Sequence, residues 1–281
     1  MRNISRSLVG LIVLAGCTSI GDSAAPPSNP TAHGWSATLA ASVSCGDVIV
    51  SDLRLENDLT CAGDGLTVSG SGIKIDLNGH TIAGAGTGVG VRVSTSHDVV
   101  IWGGTVRGFL QGMFLAASTG IVIKDNEFTQ NATAVLLQAS SGNSIKANLF
   151  RGNGLRAIML RPNLAGVFST NNDVVDNLFI DNPTGIFLIA QPGNTFKGNT
   201  ISGSTVAAID LAPAPLGASG NLIKGNLLVS SATGIRFAAG WTDNTILGNT
   251  IQANTCAFQG PSSGNTLQGN TLTANATDFC P

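Results

Sequence analysis

The side chains best suited to chemistry in this chain stand at one fixed place in a repeating unit. Trp102, Lys124 and Lys146 occupy that place in consecutive copies, and Lys197 and Lys224 occupy it in a second consecutive pair. A line of ammonium groups headed by an indole suits an acidic sugar polymer: the amines neutralise charge and the ring stacks on a sugar. Lysines on neighbouring strands repel one another, and Asp125, Asp173 and Asp176 in adjacent columns are the acids available to offset them. Glycoside hydrolysis needs two carboxyl groups separated by roughly 5–10 Å across a cleft. Asp173 and Asp176 are close in sequence, but one is expected to face out from a strand and the other to sit at a bend. They are read as surface and turn acids. His80 falls at a corner of the repeat and His97-Asp98 at a turn, so no catalytic residue is assigned.

The unit that positions these residues is plainest in Asn194-Thr-Phe-Lys-Gly-Asn199-Thr-Ile201, Asn221-Leu-Ile-Lys-Gly-Asn226-Leu-Leu228 and Asn244-Thr-Ile-Leu-Gly-Asn249-Thr-Ile251. Its second Asn recurs as Asn126, Asn148, Asn177, Asn199, Asn226, Asn249 and Asn270, with His80 and Gly104 in the same place earlier, at steps of 21 to 29 residues. A period in the twenties without helical spacing predicts a solenoid of short strands. Three residues before the anchor an apolar column runs from Leu77 through Ile123 and Phe196, and two residues after it another runs from Ile82 to Leu272. Both are expected to fill the lumen. The anchoring Asn, and a second column comprising Asn143, Asn172, Asn194, Asn221, Asn244 and Asn265, are expected to form amide ladders along the axis. A second strand in most copies has the form small–apolar–x–apolar, and its outward x column reads Phe114, Leu136, Met159, Phe187, Asp210 and Arg236. The first four are candidate apolar contacts for a sugar or a protein, unless the insertions at 161–170 and 212–219 cover them. Asp210 and Arg236 are expected to pair.

Composition fits a stack of coils. Charged residues are 11% of the chain, Gly occurs 36 times and Tyr is absent. A net charge of −2 gives no reason to expect a nucleic-acid partner. Three His without a His/Cys cluster give no metal-site signal, and no cofactor is expected.

Residues 1–16 read as a secretory signal: Arg2 and Arg6 precede an apolar stretch too short to span a bilayer. The stretch ends in Leu14-Ala15-Gly16-Cys17, which resembles the lipobox of bacterial lipoproteins. That resemblance implies cleavage before Cys17, lipidation of its thiol and a membrane partner. Thr18, in place of Asp, then favours the outer membrane or cell surface. Residues 17–43, with Pro26, Pro27 and Pro30, read as a flexible tether ahead of a repeat domain over 44–281. With Cys17 set aside, Cys45 and Cys61 flank the start of the repeats and Cys256 and Cys280 lie in the last coils. Pairing 45 with 61 and 256 with 280 would staple both ends in an oxidising compartment.

The repeats, together with Cys45-Gly-Asp, Cys61 and Ile73-Lys-Ile-Asp-Leu-Asn-Gly-His80-Thr-Ile82, resemble the right-handed parallel β-helix proteins of the pectin-lyase-like superfamily. The resemblance implies an all-β, single-stranded β-helix of about nine coils. It leaves function open among polysaccharide lyases, glycoside hydrolases, uronan epimerases, copper-processing periplasmic proteins and proteins that only bind. An epimerase of this group is expected to carry Asp-Pro-His-Glu, which is missing. A lyase is expected to set its base beside a calcium-binding acid cluster, and Asp125 beside Lys124 and Lys146 offers too few acids for one. The favoured reading is a lipid-anchored, non-catalytic scaffold that binds glycan or a surface protein. The alternative is a polysaccharide lyase or glycoside hydrolase working on an acidic polysaccharide.

Overall fold

The structure, a computed structural model, describes residues 43–213 and 218–281. The leader, Cys17 and its expected lipid, and all but the last residue of the tether lie outside the described residues.

Each coil supplies one strand to each of three parallel sheets, which hold eleven, ten and ten strands. A typical coil runs through a long strand, Gln111–Ala116, a short second strand, Val122–Lys124, and a short third strand, Glu127–Thr129. Alternation puts every second side chain inward. Ile101, Ile123, Ile145, Val174, Phe196, Ile223 and Ile246 therefore stack in register and are buried. Beside them Phe128, Phe150 and Phe179 stack face to face, with ring centroids 5.0 and 4.8 Å apart.

The helix makes about ten turns, one more than the nine anchor positions that include His80 and Gly104. The extra turn is the first, Val48–Cys61. Leu53 is level with Ile75 but Leu59 with Ile82, so its second corner is one residue shorter than the next coil's. Leu53 thus stands four residues before Asn57, where Ile123 stands three before Asn126, and that offset hides the coil from an anchor-based count. The His80 corner departs too: Ile75, not Leu77, is the lumen partner of Ile101, and Asp76 is the outward partner of Trp102.

Corners turn on single left-handed residues such as Ala147 (φ 53°), Asp176 (φ 55°) and Gly198 (φ 65°), each immediately before a ladder Asn. The ladder holds these corners in place. Asn148 gives both its backbone N–H (2.9 Å) and its side-chain NH₂ (3.0 Å) to Asn177 Oδ1, and the same NH₂ also reaches Ile123 O at 2.9 Å. The second expected column behaves alike, as at Asn172 and Asn194. A third amide column was not anticipated: Asn131, Asn153 and Asn182, resuming at Asn254 and Asn275. A fourth corner uses hydroxyls, Ser96 to Ser118 to Ser140 to Ser169, and ends on the Gln191 amide. Their spacing matches the Asn columns, but Ser and Thr abound throughout the sequence, which masks the pattern.

Both disulfides form as expected, Cys45–Cys61 and Cys256–Cys280. The second ties the last strand back without covering the coil beneath it: Leu267 and Leu272 are only half-buried and Phe279 is exposed.

Candidate functional site

The second strands bring the sequence-nominated basic residues into one outward row. Strand register orders it Arg54, Asp76, Trp102, Lys124, Lys146, Val175, Lys197, Lys224, Leu247 and Gln268, one residue per coil. Adjacent members stand about 4.8 Å apart. Trp102 and Lys124 are neighbours in the row, and Lys124 Nζ lies 5.9 Å from the indole centroid and 3.5 Å from Asp125 Oδ2. Lys146, Lys197 and Lys224 are exposed, and among the described residues Lys124 alone of the four lysines has an ion-pair partner. The row therefore presents one neutralised and three unneutralised ammonium groups.

The acids divide by geometry. Asp125 and Asp176 sit in left-handed corners, with φ near 55°. Asp173 points outward from the Val175 strand, two positions before Val175, in a parallel row between Ser144 and Thr195. Among the described residues no three His, Cys, Asp or Glu side chains gather as a metal-binding group. His80 Nδ1 lies 3.1 Å from Asp58 and His97 Nδ1 lies 3.0 Å from Asp98, each a local surface pair.

The apolar x column lies on the long-strand sheet, in register from Phe114 through Leu136, Met159 and Phe187 to Asp210 and Arg236. The column is largely closed to solvent. Leu136 is only 2% exposed, and Phe114, Met159 and Phe187 are half-buried. Leu164 and Val167 of the 161–170 insertion face solvent, while Phe168 packs on the core, so the insertion is not a simple apolar cover. Arginines overlooked in the sequence sit on this face instead. Arg92 lies over the Phe114 ring at 5.4 Å and Arg156 over the Phe187 ring at 4.0 Å. Burial, partly offset by the charge of Asp210, holds the Arg156 guanidinium below its ordinary range. Arg161 Nε is buried without a partner. The signal for two of them was present in Arg156-Ala-Ile-Met-Leu-Arg161, a strand with guanidinium groups at both ends. Asp210 and Arg236 pair as expected through two hydrogen bonds, with the acid 1% exposed and the arginine side chain partly solvated. They line an open hollow of about 410 Å³ with Pro213, Phe237, Gln259 and Gly260.

The family model described as right handed beta helix region matches residues 60–213, more than half of the chain, and that described as periplasmic copper-binding protein (NosD) matches residues 153–280. No curated protein matches significantly. Among solved structures, an alginate lyase from a Paenibacillus species is 15% identical with a TM-score of 0.64, covering 81% of this chain and 92% of its own. The mannuronan C-5 epimerase AlgE6 A-module of Azotobacter vinelandii is 15% identical with a TM-score of 0.60, covering 82% and 81%. The Dettilon tailspike protein is 17% identical with a TM-score of 0.54, covering 80% and 60%. Likeness at this identity carries the fold and no activity. By its coil register and the matched family model, the chain belongs to the right-handed β-helix family.

Proposed function

We propose that this chain is an exported, lipid-anchored β-helix that binds an acidic glycan on its lysine row and does not cleave it. The observation that carries the reading is the row itself: Lys146, Lys197 and Lys224 share an outward line and have no acidic partner among the described residues. Exposed charges of one sign in register cost stability, and a polyanion removes that cost. Export is consistent with the two disulfides and with the description of one matched family as periplasmic. The lipid is assigned to Cys17 on the leader sequence.

The reading without cleavage is supported by the acids beside the lysine row. Asp125 is tied to Lys124, Asp173 stands on an open strand face and Asp176 is held in a corner, so these three do not form a carboxyl pair across a cleft. The copper named in the matched family description calls for a cluster of soft or imidazole donors. The described residues do not fit it, since no such group gathers and all four described cysteines are in disulfides.

The test is calorimetry of the mature protein with alginate, pectate and hyaluronan, coupled to size analysis of each polymer after incubation. Binding that weakens with salt and leaves chain length unchanged is expected. Shortened chains would install the lyase or hydrolase reading in its place, and absence of binding would remove both.

A further inference from the structure

The acids beside the lysine row narrow the ligand further, on the premise that the row binds an acidic glycan. Lys124 is already neutralised by Asp125, so the first two free ammonium groups are those of Lys146 and Lys197. Between them stands a single coil, which presents Val175 in the row and Asp173 two positions earlier on the same strand. Lys146 and Lys197 are thus two coils apart, about 9–10 Å. That distance is close to the length of one disaccharide in an extended glycan.

The intervening coil decides what the middle sugar can be. A sugar spanning Lys146 to Lys197 lies across Val175, an apolar contact, and beside Ser144, Asp173 and Thr195, a row of hydroxyl and carboxylate oxygens. Such a row accepts hydrogen bonds from sugar hydroxyls and repels a second carboxylate. We infer that the row is matched to an acidic polysaccharide in which acid and neutral sugars alternate, running along the helix axis with acids on Lys146 and Lys197 and the neutral sugar over Val175 and Asp173. A homopolymer of uronic acid would place its middle carboxylate against Asp173.

The experiment compares hyaluronan octasaccharide, which alternates acid and neutral sugars, with oligogalacturonate of eight sugars, by calorimetry on the mature protein at one ionic strength. Hyaluronan is expected to bind roughly two- to five-fold more tightly, the range of a single exposed charge contact. Asp173→Asn should tighten galacturonate binding by a similar factor and leave hyaluronan nearly unchanged, a gain that no folding defect produces. Lys146→Gln and Lys197→Gln should each weaken hyaluronan binding more than Lys224→Gln does. Equal affinities, tighter galacturonate binding, or a Lys224→Gln loss as large as the other two would overturn the alternating assignment and leave acidic-glycan binding standing. If neither oligomer binds, the assignment falls together with the glycan-binding reading.

Discussion

Asn177 Oδ1 accepts two hydrogen bonds from one residue, the backbone N–H of Asn148 at 2.9 Å and its side-chain NH₂ at 3.0 Å. The Asn177 amide in turn donates to Ile145 O, Val175 O and Asn199 Oδ1. One buried side chain therefore serves three coils. Asn177→Ala should destabilise by about 2–4 kcal/mol, since it strands several buried groups at once. Asn177→Asp keeps the acceptor but loses the donors and buries a charge, so it should be no better. Urea unfolding of both variants measures this, and a cost below that of an exposed Asn→Ala control would contradict the ladder's role.

The third amide column has a gap, and filling it should stabilise the protein. Asn153 donates to Asn182 Oδ1 through both its groups, at 3.1 and 2.9 Å. The next position holds Ser204, whose buried Oγ has no partner. The column recovers only when Ser231 N–H reaches Asn254 Oδ1 at 2.8 Å. Ser204→Asn places an amide where the other coils carry one and should raise stability by about 1 kcal/mol. A midpoint shift in the opposite direction would mean that this corner lacks room for the longer side chain.

Glycine at one corner is set by the coil above. A Cβ on Gly198 would lie 2.2 Å from Asp176 Oδ1, whereas one on Gly225, at the same corner one coil further along, meets nothing within 4 Å. Both residues are left-handed, with φ of 65° and 62°, so both pay the same backbone penalty of about 1–2 kcal/mol on becoming Ala. Gly198→Ala should therefore cost more than Gly225→Ala, and Asp176→Ala in the Gly198→Ala background should erase the difference. Thermal unfolding of the three proteins reads it out.

These contacts show which parts of the molecule were legible beforehand. Asn126 through Asn270 and the lumen columns could be read because each coil repeats the same residue types at fixed offsets, and parallel register converts such a repeat directly into contact. The first coil could not, because Leu53 stands four residues before Asn57, where Ile123 stands three before Asn126. Membership of the lysine row followed from the same offsets, apart from the error at His80. Which lysine is neutralised did not: Asp125 reaches Lys124 at 3.5 Å while Asp173 and Asp176, equally near in sequence to the row, make no ion pair among the described residues. Side-chain direction at a left-handed corner is a tertiary outcome, and so is the burial of Leu136 and Asp210 on an outward-facing row.

Asp58 should make the opening coils sensitive to acid. Asp58 accepts the Thr81 N–H at 2.9 Å and lies 3.1 Å from the His80 ring, and these two contacts, in that order, hold its carboxyl below the ordinary range. A carboxyl depressed in the folded state contributes stability above its unfolded value, about pH 4, and loses it as pH falls through the folded value. Asp58→Asn should flatten the fall in melting temperature across that acid window and leave its shape near neutrality unaltered. An unchanged acid limb would place the acid-sensitive contact elsewhere.

The Asp210–Arg236 pair offers the sharpest separation of burial from charge. Asp210 is 1% exposed and receives Arg236 Nε at 2.8 Å together with a second bond from Nη2, while Arg236 itself is partly solvated. The bonds to Asp210 push the Arg236 guanidinium up, against an opposing effect of its own burial. Arg236→Ala leaves a carboxylate buried and unpaired, so it should cost about 3 kcal/mol, the lower end for a broken buried pair because solvent still reaches the arginine side. Replacing both partners, Asp210→Leu with Arg236→Met, continues the apolar row of Leu136 and Met159 and should return most of that loss. It should also lower Arg156 further, since Arg156 then loses the one carboxylate that supports its charge. Urea unfolding of the two variants decides the matter: a double variant less stable than Arg236→Ala would show that the ion pair, and not the shape of the row, is what this end of the long sheet requires.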